Sequence, residues 1–517
     1  MNSKTWTRIT LVLFAALALP LQLAAQDNAK PHHHHKYHHY QLIDVGTFGG
    51  PNSTYLQGIP VGRLLNKSGA AVGAADTPTP DPSCIGFDFD CYLAHGFKWQ
   101  DGVASELGAL PGFGSLNSST GLWVSDNGLT AGISENGIDP LTGNPAVEAI
   151  LWGKDGSLTD LGTLGGNASS ANAVNNRGQV AGEALNPIPD PYTSNFYNFL
   201  FTGATQVHAF RWTKSRGMQD LGTLGGTDSA AFSMNQRGQI AGWSFTNTTV
   251  NPSTGVPTLD PFLWENGKLL DLGTLGGTYG NANALNSQGH VTGTSNLAGD
   301  ANWDAFLWRN QSEGMIDLGT LGGSFGNAAS INDSDEVVGA DATADGLGRA
   351  FLWRHGVMTD LGTIGTDPAS QAFSINSQGQ VVGNTWDPNA DADLRGFLWE
   401  HGGPMVDLNT LVAPNPDLQL TLAIYVNDRG EIAASGKFSN GDIHSFILIP
   451  CDENHSGVEG CDYSMVEAAS AQQNSTPRFA PSGTLRPPQS RWSNRYRIPA
   501  LRIVGQIGSG TVKRNKD

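Results

Sequence analysis

The sequence predicts an all-β fold, a β-propeller of eight four-stranded blades with seven blades as the near alternative. Three observations predict it. A turn of the form apolar, Asn or equivalent, two residues, Gly, followed by an apolar strand, occurs eight times. A Phe-x-Trp strand follows it in most copies. A strand closing on an acid, Leu and usually Gly comes next seven times, and its eighth copy stands at the start of the chain instead.

The first element is "MNSKTWTRITLVLFAALALPLQLAAQ", with Lys4 and Arg8 ahead of an apolar run and small residues at Ala24 and Ala25. This pattern reads as a secretory signal peptide over 1–26, too short and proline-broken to remain as an anchor. No later stretch offers about 18 uninterrupted apolar residues, so no transmembrane span is expected. Residues 27–39 include "PHHHHKYHH", a His-rich leader with no turn or strand pattern to organise it, suited only to loose metal affinity.

The repeat occupies 40–450. Its Asn turns are "LNKSGAAVG", "VSDNGLTAG", "VNNRGQVAG", "MNQRGQIAG", "LNSQGHVTG", "INDSDEVVG", "INSQGQVVG" and "VNDRGEIAA", the sixth with Asp335 in place of Gly and the eighth ending in Ala434. The third strand places Trp99, Trp152, Trp212, Trp264, Trp308, Trp353 and Trp399 in equivalent positions and becomes "SFIL" in the last unit. The fourth closes on Glu106, Asp160, Asp220, Asp271, Asp317, Asp360 and Asp407. Short apolar or alternating runs bounded by Gly, Asn and Asp are strand and hairpin signals. Four strands in a unit of roughly 45 residues fit a propeller blade. The missing eighth copy, "YQLIDVGTFGG" with Asp44, would complete the last blade beside "SFILIP" and tie the chain ends into one sheet. An open solenoid would need capping units instead.

With His208-Ala209-Phe210 spelling its name, and "DLGTLGG", "INSQGQVVG" and "AFLW" matching its other pieces, the repeat resembles the HAF family of extracellular repeat proteins over about residues 40–450. The resemblance implies export and a repeat architecture, and no particular activity.

Charge bears on partners. The net charge is -18, yet residues 477–517 contribute +8 and the first 26 contribute +2, leaving about -28 over 27–476. So acidic a body repels phosphate backbones, and no nucleic-acid partner is expected. The tail from 451 onward reads as a Cys-closed knob followed by a basic, Pro- and Arg-containing disordered segment. Cys84 with Cys91 and Cys451 with Cys461 form two close pairs, each able to close a short disulfide loop in an oxidising compartment; a zinc site would need all four to converge. No metal site and no cofactor are expected, structural calcium being weighed at "INDSDEVVG" and "DPNADADLRG", neither of which has the full calcium-loop spacing. No pattern points to an oligomeric state.

The repeated acids argue against catalysis, because a catalytic pair needs two carboxylates in unlike environments and these recur in nearly every unit. Their expected duty is to accept backbone or Trp N–H groups at a blade edge. "LGTLGG" lies between strands with no Lys or helix after it, so it reads as a joint and not as a phosphate loop.

Variation lies elsewhere. From the Gly ending the second strand to the Phe position of the third, the gaps are 24, 18, 28 and 20 residues in the first four units and 12 to 14 in the next three. In an antiparallel blade these insertions emerge on one face, together with the crossings, as functional loops on rigid scaffolds do. They carry the candidate ligand-binding residues Phe87, Asp88, Phe89, Asp90 and Tyr92 in the first, and Tyr192, Phe196, Tyr197 and Phe199 in the third. Aromatic faces beside carboxylates and amides suit sugar rings, or else cover the rim of their own blade. The expected function is a secreted, non-enzymatic binding or surface-interaction module with an extracellular glycan or protein partner. The alternatives are a polysaccharide hydrolase or lyase using Asp88 or Asp190, and a structural envelope protein.

Overall fold

The computed structural model describes residues 36–55, 62–81, 91–112, 117–138, 145–190, 205–252, 254–389 and 394–467. All of them lie in the compact unit His35–Asp517. The chain is all-β among the described residues, its only helical pieces being two single 3-10 turns, Leu408–Thr410 and Glu453–His455. Among the described residues, no helix is long and apolar enough to cross a membrane.

Thirty-two strands form eight four-stranded antiparallel sheets, in a β-propeller-like arrangement. The first seven each use consecutive strands, over 53–108, 119–160, 169–220, 229–271, 276–317, 322–360 and 369–407. The eighth joins Leu418–Val426, Ile432–Phe438 and Ile443–Pro450 to Tyr40–Asp44, with Leu42 opposite Leu448 and Asp44 opposite Phe446. The displaced copy read from the sequence is thus the outermost strand of the last sheet. Single parallel bridges, Leu259 to Tyr279 and Trp303 to Phe325, link the fourth sheet to the fifth and the fifth to the sixth.

The repeat letters have direct structural causes. In the second to seventh sheets the Gly near the start of the second strand faces a bulge in the first, and a Cβ on Gly182 would lie 1.8 Å from the Ser170 carbonyl oxygen, which only glycine accommodates. Phe97, Phe210, Phe262, Phe306, Phe351, Phe397 and Phe446 are fully buried. They pack between neighbours: Phe210 and Trp212 of the third sheet share a cluster with Ala149 and Leu151 of the second, and Phe397 and Trp399 of the seventh one with Leu352 of the sixth. The same pattern joins the last sheet to the first, where Leu422, Ile424 and Ile447 pack on Tyr55, Leu65, Phe97 and Trp99. Apolar burial at every junction is the main force holding the sheets together.

The Asn that stands in every turn but the second, which has Ser125, adds a polar girdle. Its Oδ1 accepts N–H groups within its own turn, as Asn427 does from Arg429 and Glu431. Its Nδ2 donates to a backbone carbonyl of the next unit: Asn235 to Asn286, Asn286 to Asn332, Asn332 to Asn376 and Asn376 to Asn427. Asn427 then donates to the Asn66 carbonyl at 2.9 Å, and Asn66 to that of Ser125.

One expectation is corrected. The His-rich leader is not unorganised to residue 39, because Lys36–His38 pairs antiparallel with Met465–Glu467. The reason is Tyr37, which buries its ring in the core cluster around the eighth sheet and donates its hydroxyl to the Pro404 carbonyl at 2.7 Å. The knob is tied down beside it: Cys451 is disulfide-bonded to Cys461, and Cys451 N–H donates to the His39 carbonyl.

Candidate functional site

Most of the sequence-predicted ligand residues, Phe87, Asp88, Phe89, Asp90, Tyr192, Phe196, Tyr197 and Phe199, lie outside the described residues, as does Cys84. Tyr92 is half-buried at the start of its strand, opposite Pro80, and Cys91 beside it is disulfide-bonded. Asp190 is only 3% exposed. It lies close enough to Asp228 to help raise that carboxyl to about 6, after the larger effect of burial.

The repeated acids do what the sequence predicts, through the backbone. Asp44, Asp160, Asp220, Asp271, Asp317 and Asp360 each accept the N–H of the Gly two residues on, at 2.7–2.8 Å, and Asp407 accepts that of Asn409. The crossing after Asp220 is closed within itself: Thr223 Oγ1 donates to the Gly226 carbonyl and accepts Gly225 N–H, and Ser229 Oγ donates to the Gly222 carbonyl. "DLGTLGG" is a joint whose polar groups are already spent. The indole N–H of Trp152 donates to a backbone carbonyl, that of Leu107 at 2.8 Å, and not to an acid.

Facing these acids, two residues before the Phe of the third strand, stands a position whose charge varies. It is a basic residue at His95, His208, Arg349, Arg395 and His444, and an acidic one at Glu148, Asp260 and Asp304. His208 Nδ1 meets Asp220 at 2.8 Å while Nε2 meets the Thr227 carbonyl, and His444 repeats this with Asp44 and Pro51. Burial would lower both imidazoles, but their carboxylate partners outweigh it and both are raised. In the acid pairs the sign reverses. Burial and then Asp317 push Asp304 up to about 6, and burial and then Asp271 push Asp260 up strongly.

Among the described residues, a cleft of about 570 Å³ opens between the third and fourth sheets. Arg177 and Arg237 enter it from equivalent Asn turns, Arg211 from the strand Thr205–Thr213, and Arg216 from the hairpin after that strand. Arg211 stacks its guanidinium over Trp264 at 5.3 Å from the ring centroid. Its Nε is buried with no hydrogen-bond partner. Burial, then Arg216 and Arg177, lower its pKa, the signature of cations crowded without counter-charge. Two acids line the cleft and both are engaged elsewhere, Asp220 with His208 and Glu265 as acceptor from Gln239 Nε2 at 2.9 Å. Among the described residues, none of the four arginines forms an ion pair with a carboxylate.

The origin of the cleft lies in one position of the repeat. Between Phe and Trp of the third strand, other units carry Leu151, Leu263, Leu307, Leu352, Leu398 or Ile447, all buried and filling the junction to the next sheet. The third unit carries Arg211 there, so the filler between its sheet and the fourth is replaced by a charge that needs water or a ligand. Lys98 in the first unit is the same kind of departure, answered internally by the Gly128 carbonyl at 3.0 Å. Sequence reasoning passed over Arg211 because it compared what the copies share. The signals were a cation at a Leu position and Arg at the same turn position in adjacent units.

No family model and no curated protein matches this chain. Among solved structures, it is similar to an acylaminoacyl peptidase from Pyrococcus horikoshii, at 9% identity and a TM-score of 0.34 over 63% of this chain and 50% of that one. TolB from Acinetobacter baumannii aligns at 11% identity and a TM-score of 0.30, over 73% of this chain and 79% of that one. A prolyl endopeptidase aligns at 11% identity and 0.38, over 80% and 51%. The chain spans about half the length of these peptidases. At these TM-scores the likenesses carry no argument about activity.

Proposed function

We propose that this chain is an exported, non-enzymatic closed propeller of eight blades that binds extracellular carbohydrate, with its binding surface in the cleft between the third and fourth blades. Closure is supported by the bond from Asn427 to Asn66 and by the apolar junction of the last sheet with the first. Export is supported by the signal-like leader, the HAF resemblance and the disulfide Cys451–Cys461.

The observation that carries the binding reading is the cleft lining. Arginine, glutamine and tryptophan offer hydrogen-bond donors, acceptors and a ring face, the set with which proteins hold sugars. Its two acids are committed to His208 and Gln239, which leaves neither poised as a general acid. Asp190, the acid considered for a hydrolase, is buried and does not line it.

The test is to titrate the mature protein against a panel of neutral and acidic polysaccharides while assaying for released reducing ends. Binding that weakens at least several-fold in Trp264→Ala, without product, is expected. Product formation that disappears in Asp190→Asn would overturn the non-enzymatic reading, and binding indifferent to Trp264→Ala would remove the cleft from it.

A further inference from the structure

The cleft carries more than a general capacity for sugars. Over a body of about -28, it gathers four arginines whose lining acids are spoken for. Arg177 and Arg237 come from equivalent turns of adjacent sheets, so their spacing is set by the repeat. Arg237 is further held by donation to the Gln288 carbonyl of the fifth sheet's turn. Arg211 is pinned against Trp264, its Nε buried without an acceptor and its side chain lining the cleft.

Leaving a buried guanidinium N–H unsatisfied is costly, and at this position six other units avoid the cost with Leu or Ile while the first answers Lys98 with the Gly128 carbonyl. A planar, delocalised fork of donors matches the paired oxygens of a carboxylate or sulfate, and such charge-assisted bonds are among the strongest a surface can make. Resting on the carbohydrate reading above, we propose that this cleft recognises an acidic glycan through its oxyanion groups, uronate carboxylates or sulfate esters, with the half-buried Arg211 as the anion ligand and Arg177, Arg216 and Arg237 as the rim that draws the polymer in. The acidic surroundings make the site selective by position. A polyanion is repelled over the rest of the body and attracted at one junction.

The choice of variant protects the test. Arg211→Leu installs the residue that the repeat itself uses at this position, so the fold is expected to hold with its thermal midpoint unchanged or raised. The basic segment 477–517 is identical in both proteins, so any binding by that segment cancels in the comparison. The full mature chain and Arg211→Leu are titrated calorimetrically at low and physiological salt with oligogalacturonate, sulfated dextran, unmodified dextran, inorganic sulfate and duplex DNA. Expected is binding of oligogalacturonate or sulfated dextran, not of unmodified dextran, weakened tenfold or more by Arg211→Leu and falling steeply with salt. Which of the two acidic polymers binds tighter tells carboxylate from sulfate.

Binding of unmodified dextran that survives Arg211→Leu overturns the anion proposal and leaves the carbohydrate reading standing. Inorganic sulfate bound through Arg211, with no glycan bound, does the reverse. DNA bound as tightly as the acidic glycans, and lost in Arg211→Leu, overturns the glycan assignment. An absence of binding by any probe overturns both readings.

Discussion

Asp341 is a residue whose ionisation the fold penalises, and it yields a quantitative prediction. It occupies the second-strand position where Ser244 and Ser295 accept the N–H of Leu224 and Leu275, and its Oδ1 accepts Leu321 N–H at 2.7 Å in the same way. The extra atoms of the carboxyl reach the place where other first strands carry a Ser. Here that residue is Gly326, and a Cβ on it would lie 2.4 Å from Asp341 Oδ2. The side chain is 0% exposed, and Oδ2 has no partner. Burial first, and then Asp304 and Asp317, push the carboxyl from its ordinary 3.8 up to about 7.

The folded protein therefore holds this proton more tightly than the unfolded chain. Stability from this group is complete below about pH 4 and is lost as pH rises through about 7, with an upper bound of about 4 kcal/mol by linkage. Asp341→Asn keeps a carbonyl for Leu321 N–H and cannot ionise. It is expected to leave the thermal midpoint nearly unchanged at pH 4.5 and to raise it at pH 8.5 by several degrees. A multi-sheet protein need not unfold in two states, so the readout is the difference in midpoint between the two pH values, by circular dichroism or scanning calorimetry. An identical difference in wild type and Asp341→Asn would refute the argument that Asp341 is charged at a cost above pH 7.

Two further substitutions test the scaffold. Asn427→Ala removes the donor to the Asn66 carbonyl and the acceptor for two N–H groups in a buried turn, so it should cost about 2–4 kcal/mol and appear as a lowered thermal midpoint; an unchanged midpoint would mean that the junction of last and first sheets does not limit stability. The raised pKa of His208 means that its bond to Asp220 stabilises fully below about pH 6.5 and fades as pH rises through the folded-state value, so His208→Gln should lose more stability at pH 5.5 than at pH 9, and an equal loss at both would assign His208 a packing role only.

The scaffold was legible in the sequence because each repeated letter answers a local steric or hydrogen-bonding demand. Gly182 is there because a Cβ would strike a carbonyl oxygen, Asp220 because Gly222 N–H needs an acceptor, and the Phe-x-Trp strand because each junction must bury a ring. The candidate site was not legible by that method, since a reading built on what eight copies share discards what one copy changes. The changes themselves divide by a physical criterion. Ordinarily a third-strand N–H donates to a first-strand Ser of the next sheet, as Ala209 does to Ser229. In the fourth unit the donor is gone, because the residue is Pro261, and the acceptor is gone too, because the Ser has become Gly280, where a Cβ would lie 2.7 Å from the proline ring. That departure is paired with its own repair, and nothing outside the chain is needed to explain it. Arg211 departs from Leu with no such repair, since no facing residue has changed to accept from Nε and the carboxylates beside it are bound to other partners. A departure that the protein leaves chemically incomplete points outward, and this is why the cleft, more than any feature the repeat conserves within itself, is where a ligand belongs.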